Sequence, residues 1–138
     1  MQEILSASEE ETAAAGEALG RSLRAGDVVL LRGELGAGKT AFVRGVARGL
    51  GASAEDVSSP TFTLIQQYAG RLTLHHVDLY RLEQREVDDL GLDDLVSQDG
   101  VVAIEWADRW THGPADAIDV NIEDAGEDLR RIRIDHSR

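Results

Sequence analysis

The sequence contains no cysteine. This absence excludes disulfide bridges, thiol catalysis and zinc sites built from thiolates, and it is compatible with a reducing compartment. No run approaches the roughly 18 apolar residues that a membrane-spanning helix requires. The first residues, Met1-Gln2-Glu3-Ile4, also lack the basic start and apolar stretch of a signal peptide. We therefore expect a soluble, cytoplasmic protein.

Basic residues are scarce, and the net charge is −12. This charge argues against a chain that wraps nucleic acid on its own, because phosphate backbones are bound by clustered Lys and Arg. The acidic residues either form a solubilising surface or a face that docks a basic partner. One lysine, Lys39, stands against thirteen arginines. An ammonium is a compact point charge that a planar guanidinium does not reproduce, which indicates a specific role for Lys39.

The length of 138 residues is typical of one domain, and we expect a single domain over residues 1–138. Ser8 followed by three glutamates predicts a helix N-terminus, and the helix should run to about Arg24. Its predicted inward-facing residues are Ala14, Ala18 and either Leu19 or Leu23.

The rest of the pattern predicts an α/β fold with a central mixed sheet, flanking helices and an antiparallel hairpin. Short apolar runs between turn signals mark the central strands, and alternating runs mark the hairpins. The predicted elements are strand 28–31, helix 39–50, hairpin strands 61–69 and 71–77, one or two acidic helices within 83–96, strand 101–104 and a closing hairpin over 117–135.

Residues 33–40, Gly-Glu-Leu-Gly-Ala-Gly-Lys-Thr, match the phosphate-binding P-loop pattern G-x-x-x-x-G-K-[ST]. Glycines let backbone N–H groups curl around a β-phosphate, and the following helix directs its positive end at the same group. Lys39 is expected to reach the β- and γ-phosphates, and the Thr40 hydroxyl to bind Mg²⁺. The alternative is a glycine-rich turn that only caps a helix.

A magnesium-dependent P-loop also needs an acid at the end of a neighbouring strand. Asp78 and Glu105 each follow a predicted strand, at the edge where open α/β sheets bind ligands. Either acid could instead start a turn or cap a helix. Glu105 follows four apolar residues and is predicted to serve the metal directly or through water. Thr61 stands where nucleotide switches place a hydroxyl that senses γ-phosphate or Mg²⁺, although an ordinary strand threonine fits as well.

Other nucleotide-site signals are missing from the sequence. It has no N-K-x-D motif, which favours adenine over guanine, and no LSGGQ-type segment. No glutamine is clearly placed to orient a hydrolytic water, so we expect slow turnover unless a partner completes the site. His75 and His76 form no metal-ligand pattern, and one of them is expected to face inward, in the core or behind the site.

Several segments together resemble the bacterial TsaE (YjeE) ATPases, over residues from about 4 to 123. The combination is more specific than the P-loop alone. The segments are Glu11-Thr12 with Gly16, the P-loop at 33–40, Ser-Pro-Thr-Phe at 59–62, His-Val-Asp-Leu-Tyr-Arg at 76–81 and Ile-Glu-Trp at 104–106.

The resemblance implies a role in forming N6-threonylcarbamoyladenosine at position 37 of tRNAs that read ANN codons. Such proteins act with TsaB and TsaD, which transfer the threonylcarbamoyl group, while ATP hydrolysis sustains repeated rounds. The implied cofactors are ATP and Mg²⁺. The implied partner is the TsaB–TsaD complex, with tRNA met only through that complex.

The resemblance also implies site residues. Those for the nucleotide are Glu9, Leu35, Gly36, Ala37, Gly38, Lys39, Thr40, Asp78 and Trp106. Thr40 and Glu105 are expected to serve Mg²⁺, and Asp78, Lys39 and Thr61 to be catalytic. The sequence departs from the family where Ala107 replaces the usual proline and where acids follow Gly126 in place of a basic residue. Whether Arg130 or Arg131 takes the place of that basic residue is open.

Two other functions are compatible with these residues. One is a small-molecule kinase, in which Asp78 would accept a proton from a hydroxyl group. The other is a nucleotide-dependent binding module that never turns over. Strictly acceptor-dependent release of ADP would indicate the kinase, and ATP that stays intact with every partner would indicate the binding module.

Overall fold

The computed structural model describes residues 2–33, 38–52, 65–79, 85–86, 100–107 and 116–136. Strands and helices alternate over the first part of the chain, and the last two strands form a hairpin. The elements are β1 (Gln2–Ser6), α1 (Glu9–Ser22), β2 (Val28–Arg32), α2 (Lys39–Gly49), β3 (Ile65–Tyr68), β4 (Thr73–Asp78), β5 (Gly100–Glu105), β6 (Ile118–Gly126) and β7 (Leu129–His136).

These strands form one sheet in the order β1-β7-β6-β2-β5-β4-β3. The pairs β6–β2, β2–β5 and β5–β4 are parallel. The pairs β1–β7, β7–β6 and β4–β3 are antiparallel. The sheet is therefore mixed, with a parallel centre and an antiparallel hairpin on each side. This confirms the predicted α/β fold.

The parallel centre is the most deeply buried part of the sheet. Every residue of β5 is buried, as are the first four of β2. Parallel strands covered on both faces read as continuous apolar runs, which is why these two segments were recognisable in the sequence. Alternate residues feed two clusters, one against α1 and α2 and one on the opposite face. No helix among the described residues is long and apolar enough to cross a membrane.

Helix α1 begins as predicted, because the Ser8 side chain accepts a hydrogen bond of 3.0 Å from the N–H of Glu11. The prediction of its inward face was partly wrong. Leu19 and Leu23 are buried, but Ala14 and Ala18 are exposed. The reason is a glycine stripe at Gly16 and Gly20 that packs against α2 and turns the two alanines towards solvent.

The two helices cross at very short range through glycines on both sides. A Cβ at Gly16 would lie 2.1 Å from the carbonyl oxygen of Phe42, and one at Gly45 would lie 1.8 Å from that of Ala13. Only glycine, whose side chain is a single hydrogen atom, permits the two backbones to approach this closely. Because β1 and β2 point the same way across the sheet, both helices begin at the carboxyl edge of the parallel strands. The crossing therefore fixes two helix N-termini at one edge.

Strand β1 was not predicted. It is short, and Gln2 and Glu3 obscure any strand pattern, so its conformation depends on pairing with β7. The closing hairpin is confirmed, and so is the antiparallel pairing of β3 with β4. Residues 61–64 of the predicted first hairpin strand lie outside the described residues. So does the acidic segment 83–96, apart from Arg85 and Glu86, which are helical.

Candidate nucleotide-binding site

The predicted acids meet at the carboxyl edge of the parallel strands. Asp78, the last residue of β4, is the register partner of Glu105, the last residue of β5. On the other side of β5, Glu105 pairs with Leu31, one residue before the end of β2. The glycine-rich loop follows β2 directly. Three neighbouring strands thus deliver two carboxylates and the P-loop to one edge, as the sequence predicted.

The P-loop is described at its two ends. Gly33 has φ of +144°, and a Cβ there would lie 2.3 Å from the carbonyl oxygen of Ile122 in β6. Gly38, at the N-cap of α2, has φ of +102° and no side chain to accept the first helical N–H groups. No side chain of the described residues caps α2, and the positive end of the helix lies at the edge of the sheet. Leu35, Gly36 and Ala37, predicted to bind phosphate, lie outside the described residues.

Lys39 is buried, with 4% of its surface exposed. Its Nζ donates a 2.8 Å hydrogen bond to the carbonyl oxygen of Gly33 and lies 3.6 Å from the ring centroid of Trp106. A cation over an indole face is attracted by the ring electrons. The contact joins the P-loop to the residue after β5 and brings Trp106, implied by the family resemblance, beside the lysine.

Trp106 itself adopts an uncommon backbone conformation, with φ of +60°. Left-handed backbone at a bulky residue costs on the order of 1–2 kcal/mol and is concentrated at functional sites. Trp106 follows directly after Glu105, the last residue of β5. The buried carboxylate of Glu105 is therefore followed by an indole that lies against Lys39. The strain is offset by packing that presents both side chains at the site.

Glu105 is the more buried of the two acids, with 4% of its surface exposed. Its Oε2 lies 2.5 Å from Nε2 of His76, which is fully buried. His76 precedes Asp78 by two residues on β4 and so shares its face of the sheet. Thr40, the other predicted Mg²⁺ residue, is half-buried in the first turn of α2.

The sequence predicted that one of the two histidines, His75 or His76, faces inward, and the structure buries both. Both are buried, on opposite faces of β4. His75 packs on the face away from α1 and α2, where a Cβ at Gly100 would approach its Nε2 to 3.2 Å. Burial lowers the pKa of His75 from its ordinary value. The contact of His76 with Glu105 was missed, although its spacing of two from Asp78 was a readable signal.

Asp78 is half-buried, and the backbone beyond it is tied to β5, because the N–H of Leu79 donates to the carbonyl oxygen of Glu105 at 3.2 Å. The predicted catalytic role of Asp78 stays a prediction. Thr61, predicted as a switch hydroxyl, lies outside the described residues.

The start of α1 lies beside the P-loop. Thr12 is buried, shares a 2.7 Å hydrogen bond with Ser6, and its methyl would lie 3.7 Å from a Cβ at Gly38. Glu9 is exposed one turn earlier on the same helix. The fold thus brings the turn that carries Glu9 close to Gly38, while its contact with a nucleotide stays a prediction.

Arg130 and Arg131 point to opposite faces of β7. Arg130 alternates with Ile132, which packs against the helices, and its Nη1 lies 3.5 Å from the Asp124 carboxylate. Arg131 lies on the other face, with its Nε 3.4 Å from the Glu3 carboxylate. Only Arg130 therefore shares the helix-bearing face with the P-loop lysine.

A parallel-centred sheet with a glycine-rich loop, a buried lysine and two acids at its carboxyl edge defines a P-loop NTPase-like α/β protein. The crystal structure of YdiB from Bacillus subtilis has this fold. It superposes with a TM-score of 0.83 at 34% identity, covering 99% of this chain and 86% of that one. The family described as threonylcarbamoyl adenosine biosynthesis protein TsaE matches residues 6–132. The chain belongs to this family, which takes part in tRNA threonylcarbamoyladenosine biosynthesis.

Individual relatives agree with this membership. The protein named tRNA threonylcarbamoyladenosine biosynthesis protein TsaE from Nostoc sp. is 44% identical, over 97% of this chain and 85% of its own length. The protein of the same name from Treponema pallidum is 50% identical, over 76% of this chain and 78% of its own length.

Proposed function

We propose that this chain is a Mg²⁺-dependent ATPase that supports formation of N6-threonylcarbamoyladenosine on tRNA together with TsaB and TsaD. The observation that carries the proposal is the buried Lys39, seated at the N-terminus of α2 between the Gly33 carbonyl and Trp106, next to the strand that ends in Glu105. A buried ammonium at a helix N-terminus that no described side chain caps suits a polyanion such as the triphosphate of ATP.

The donor set at this edge also suits Mg²⁺. Mg²⁺ prefers oxygen ligands, and in nucleotide sites it is held by one or two protein groups together with the phosphates. The Glu105 carboxylate and the Thr40 hydroxyl are oxygen donors at the ends of elements that meet here. Bound Mg²⁺ would neutralise charge on the β- and γ-phosphates. Asp78, in register with Glu105, would position the attacking water or take its proton.

Two properties support action through protein partners. The net charge of −12 opposes direct binding of a tRNA backbone, so tRNA would be met through the TsaB–TsaD complex. The chain is also expected to turn over slowly alone, since its sequence offers no clearly placed glutamine to orient water. The partners would then complete the site or respond to its nucleotide state.

The test is ATP hydrolysis by the purified chain, alone and with the TsaB–TsaD pair of its organism. Lys39→Ala removes the buried cation and should lose tight ATP binding and stimulated hydrolysis. Arg48→Ala is a matched control, because it removes a cation from the same helix at a surface pair with Glu10. It should behave like the original chain.

Four results would contradict the proposal. If ATP hydrolysis did not depend on Lys39, the proposed nucleotide site would be wrong. If the TsaB–TsaD pair did not stimulate hydrolysis, the proposed partnership would be wrong. ADP release that depends strictly on a small acceptor would indicate a kinase instead. ATP that stays intact with every partner would indicate a nucleotide-dependent binding module.

A further inference from the structure

A short polar contact at the carboxyl edge of the parallel strands joins two buried side chains, His76 and Glu105. Nε2 of His76 lies 2.5 Å from Oε2 of Glu105, with 0% and 4% of the two residues exposed. A carboxylate oxygen accepts hydrogen bonds, and an imidazole with its hydrogen on Nε2 donates to it. Nδ1 of the same ring has no hydrogen-bond partner among the described atoms. Among the described residues, Glu105 is therefore the one hydrogen-bond partner of the ring.

The sheet register explains why these two residues meet. His76 pairs with Ala103, two residues before Glu105 on β5, and Asp78 pairs with Glu105 itself. Because alternate residues share a face, His76 and Glu105 are diagonal neighbours on the face that carries α1 and α2. Strand β5 lies between two parallel neighbours, β2 and β4, and β4 lies between β5 and the antiparallel β3. The donor is thus fixed in position by the backbone and by complete burial.

We propose that His76 is a positioning residue that fixes the orientation of the Glu105 carboxylate for Mg²⁺. The inference rests on the proposed role of Glu105 in the ATP site. A glutamate side chain has several rotatable bonds, and ordering it costs conformational entropy. A hydrogen bond to Oε2 removes part of that freedom in advance and leaves Oε1 to serve the metal directly or through water. Partners of this kind typically affect metal affinity about 10- to 100-fold.

The same strand supplies a matched control. His75 is also buried, with 3% of its surface exposed, and its Nδ1 also has no partner among the described atoms. It lies on the opposite face of β4 and makes no hydrogen bond with Glu105 in the described structure. The variants His76→Leu and His75→Leu therefore remove equivalent buried rings, and only the first removes the donor to Glu105.

The experiment measures binding of the nonhydrolysable ATP analogue AMP-PNP by calorimetry, in EDTA and at stepped concentrations of free Mg²⁺. Binding in EDTA reports the P-loop alone, and the Mg²⁺ midpoint reports the metal site. We expect His76→Leu to raise the Mg²⁺ midpoint by about tenfold or more, with unchanged affinity in EDTA. His75→Leu should leave the midpoint unchanged. His76→Gln, whose amide nitrogen takes the place of Nε2, should restore it.

A second pair of variants covers the case in which His76→Leu does not fold, as judged by thermal denaturation. The asparagine of His76→Asn is as polar as the glutamine of His76→Gln but too short to reach Glu105. The Mg²⁺ midpoint should therefore rise in the His76→Asn variant and not in the His76→Gln variant. Equal midpoints in folded Asn and Gln variants, or an unchanged midpoint in folded His76→Leu, would overturn the inference. Glu105→Gln separates the two proposals. If it leaves the midpoint unchanged, the metal role of Glu105 fails; if it shifts the midpoint and His76→Leu does not, only the role of His76 fails.

Discussion

Replacing Gly45 with alanine would introduce a methyl group where α1 and α2 touch. The new Cβ would lie 1.8 Å from the carbonyl oxygen of Ala13 and 2.7 Å from its carbonyl carbon. Both contacts are with backbone, so no side-chain rotation can relieve them. The nearest tolerable separation is 3.0 Å, and the helices must therefore part by 3.0 − 1.8 = 1.2 Å at the crossing.

Two opposing effects determine how much the Gly45→Ala substitution changes the free energy of unfolding. In a helix interior alanine is favoured over glycine by up to about 1 kcal/mol. Overpacking of a dense contact costs roughly 3 kcal/mol at the upper end of its usual range, and a gap of about 1 Å forfeits up to about half of the dispersion energy of the atoms it separates. Phe42 and Val46, both fully buried on α2, are among those that lose contacts. We expect a net loss of about 2 kcal/mol, or a fall in Tm of about 8 °C.

Thermal and urea denaturation followed by circular dichroism would measure this loss. Gly26→Ala is the control, since a Cβ there meets nothing within 4 Å and the only cost is its φ of +91°. That strain is about 1 kcal/mol, so the control should lose about half as much. An unchanged or raised Tm for Gly45→Ala would mean that helix propensity outweighs the clash, and the close crossing would be refuted.

Three further substitutions test other parts of the structure. Asp78→Asn should keep ATP affinity near that of the original chain but slow hydrolysis about 100-fold or more, as a binding titration beside an ADP-release assay would show; normal hydrolysis would remove Asp78 from the chemistry. Arg71→Met removes donations from Nη2 to the carbonyl oxygens of Gly20 (2.9 Å) and Leu23 (3.1 Å) at the end of α1. Because Arg71 is exposed, we expect a loss of about 1 kcal/mol in urea denaturation, and none if water replaces these bonds equally well. Burial lowers the pKa of His75 in the folded chain, so this residue binds a proton more readily in the unfolded chain. The stability of the folded chain should therefore fall as the pH drops below the ordinary pKa of 6.5. His75→Leu should weaken this fall below about pH 6.5, and an identical pH profile in the variant would contradict the assignment.

Much of the fold could be predicted because local patterns agree with it. The apolar runs before the P-loop and before Glu105 became β2 and β5, and the Ser8 cap became the start of α1. The predictions failed where contacts with residues distant in the sequence determine the structure. Strand β1 depends on β7 for its hydrogen bonds, and the inward face of α1 was set by glycines that admit α2. Neither partner is visible from the sequence around the element.

The sequence by itself determined the chemistry available at the site: one lysine after a glycine-rich loop, a threonine beside it, and an acid after each of two strands. These are local properties, since the loop, the helix and the strand ends are built from adjacent residues. Only the tertiary structure decided that Trp106 lies against Lys39 and that His76 holds Glu105. Those contacts join segments 67 and 29 residues apart, and they exist because parallel pairing sets the register of β2, β5 and β4. Register is a property of the whole sheet, because each strand is aligned by burial and hydrogen bonding against neighbours that lie far away in the chain.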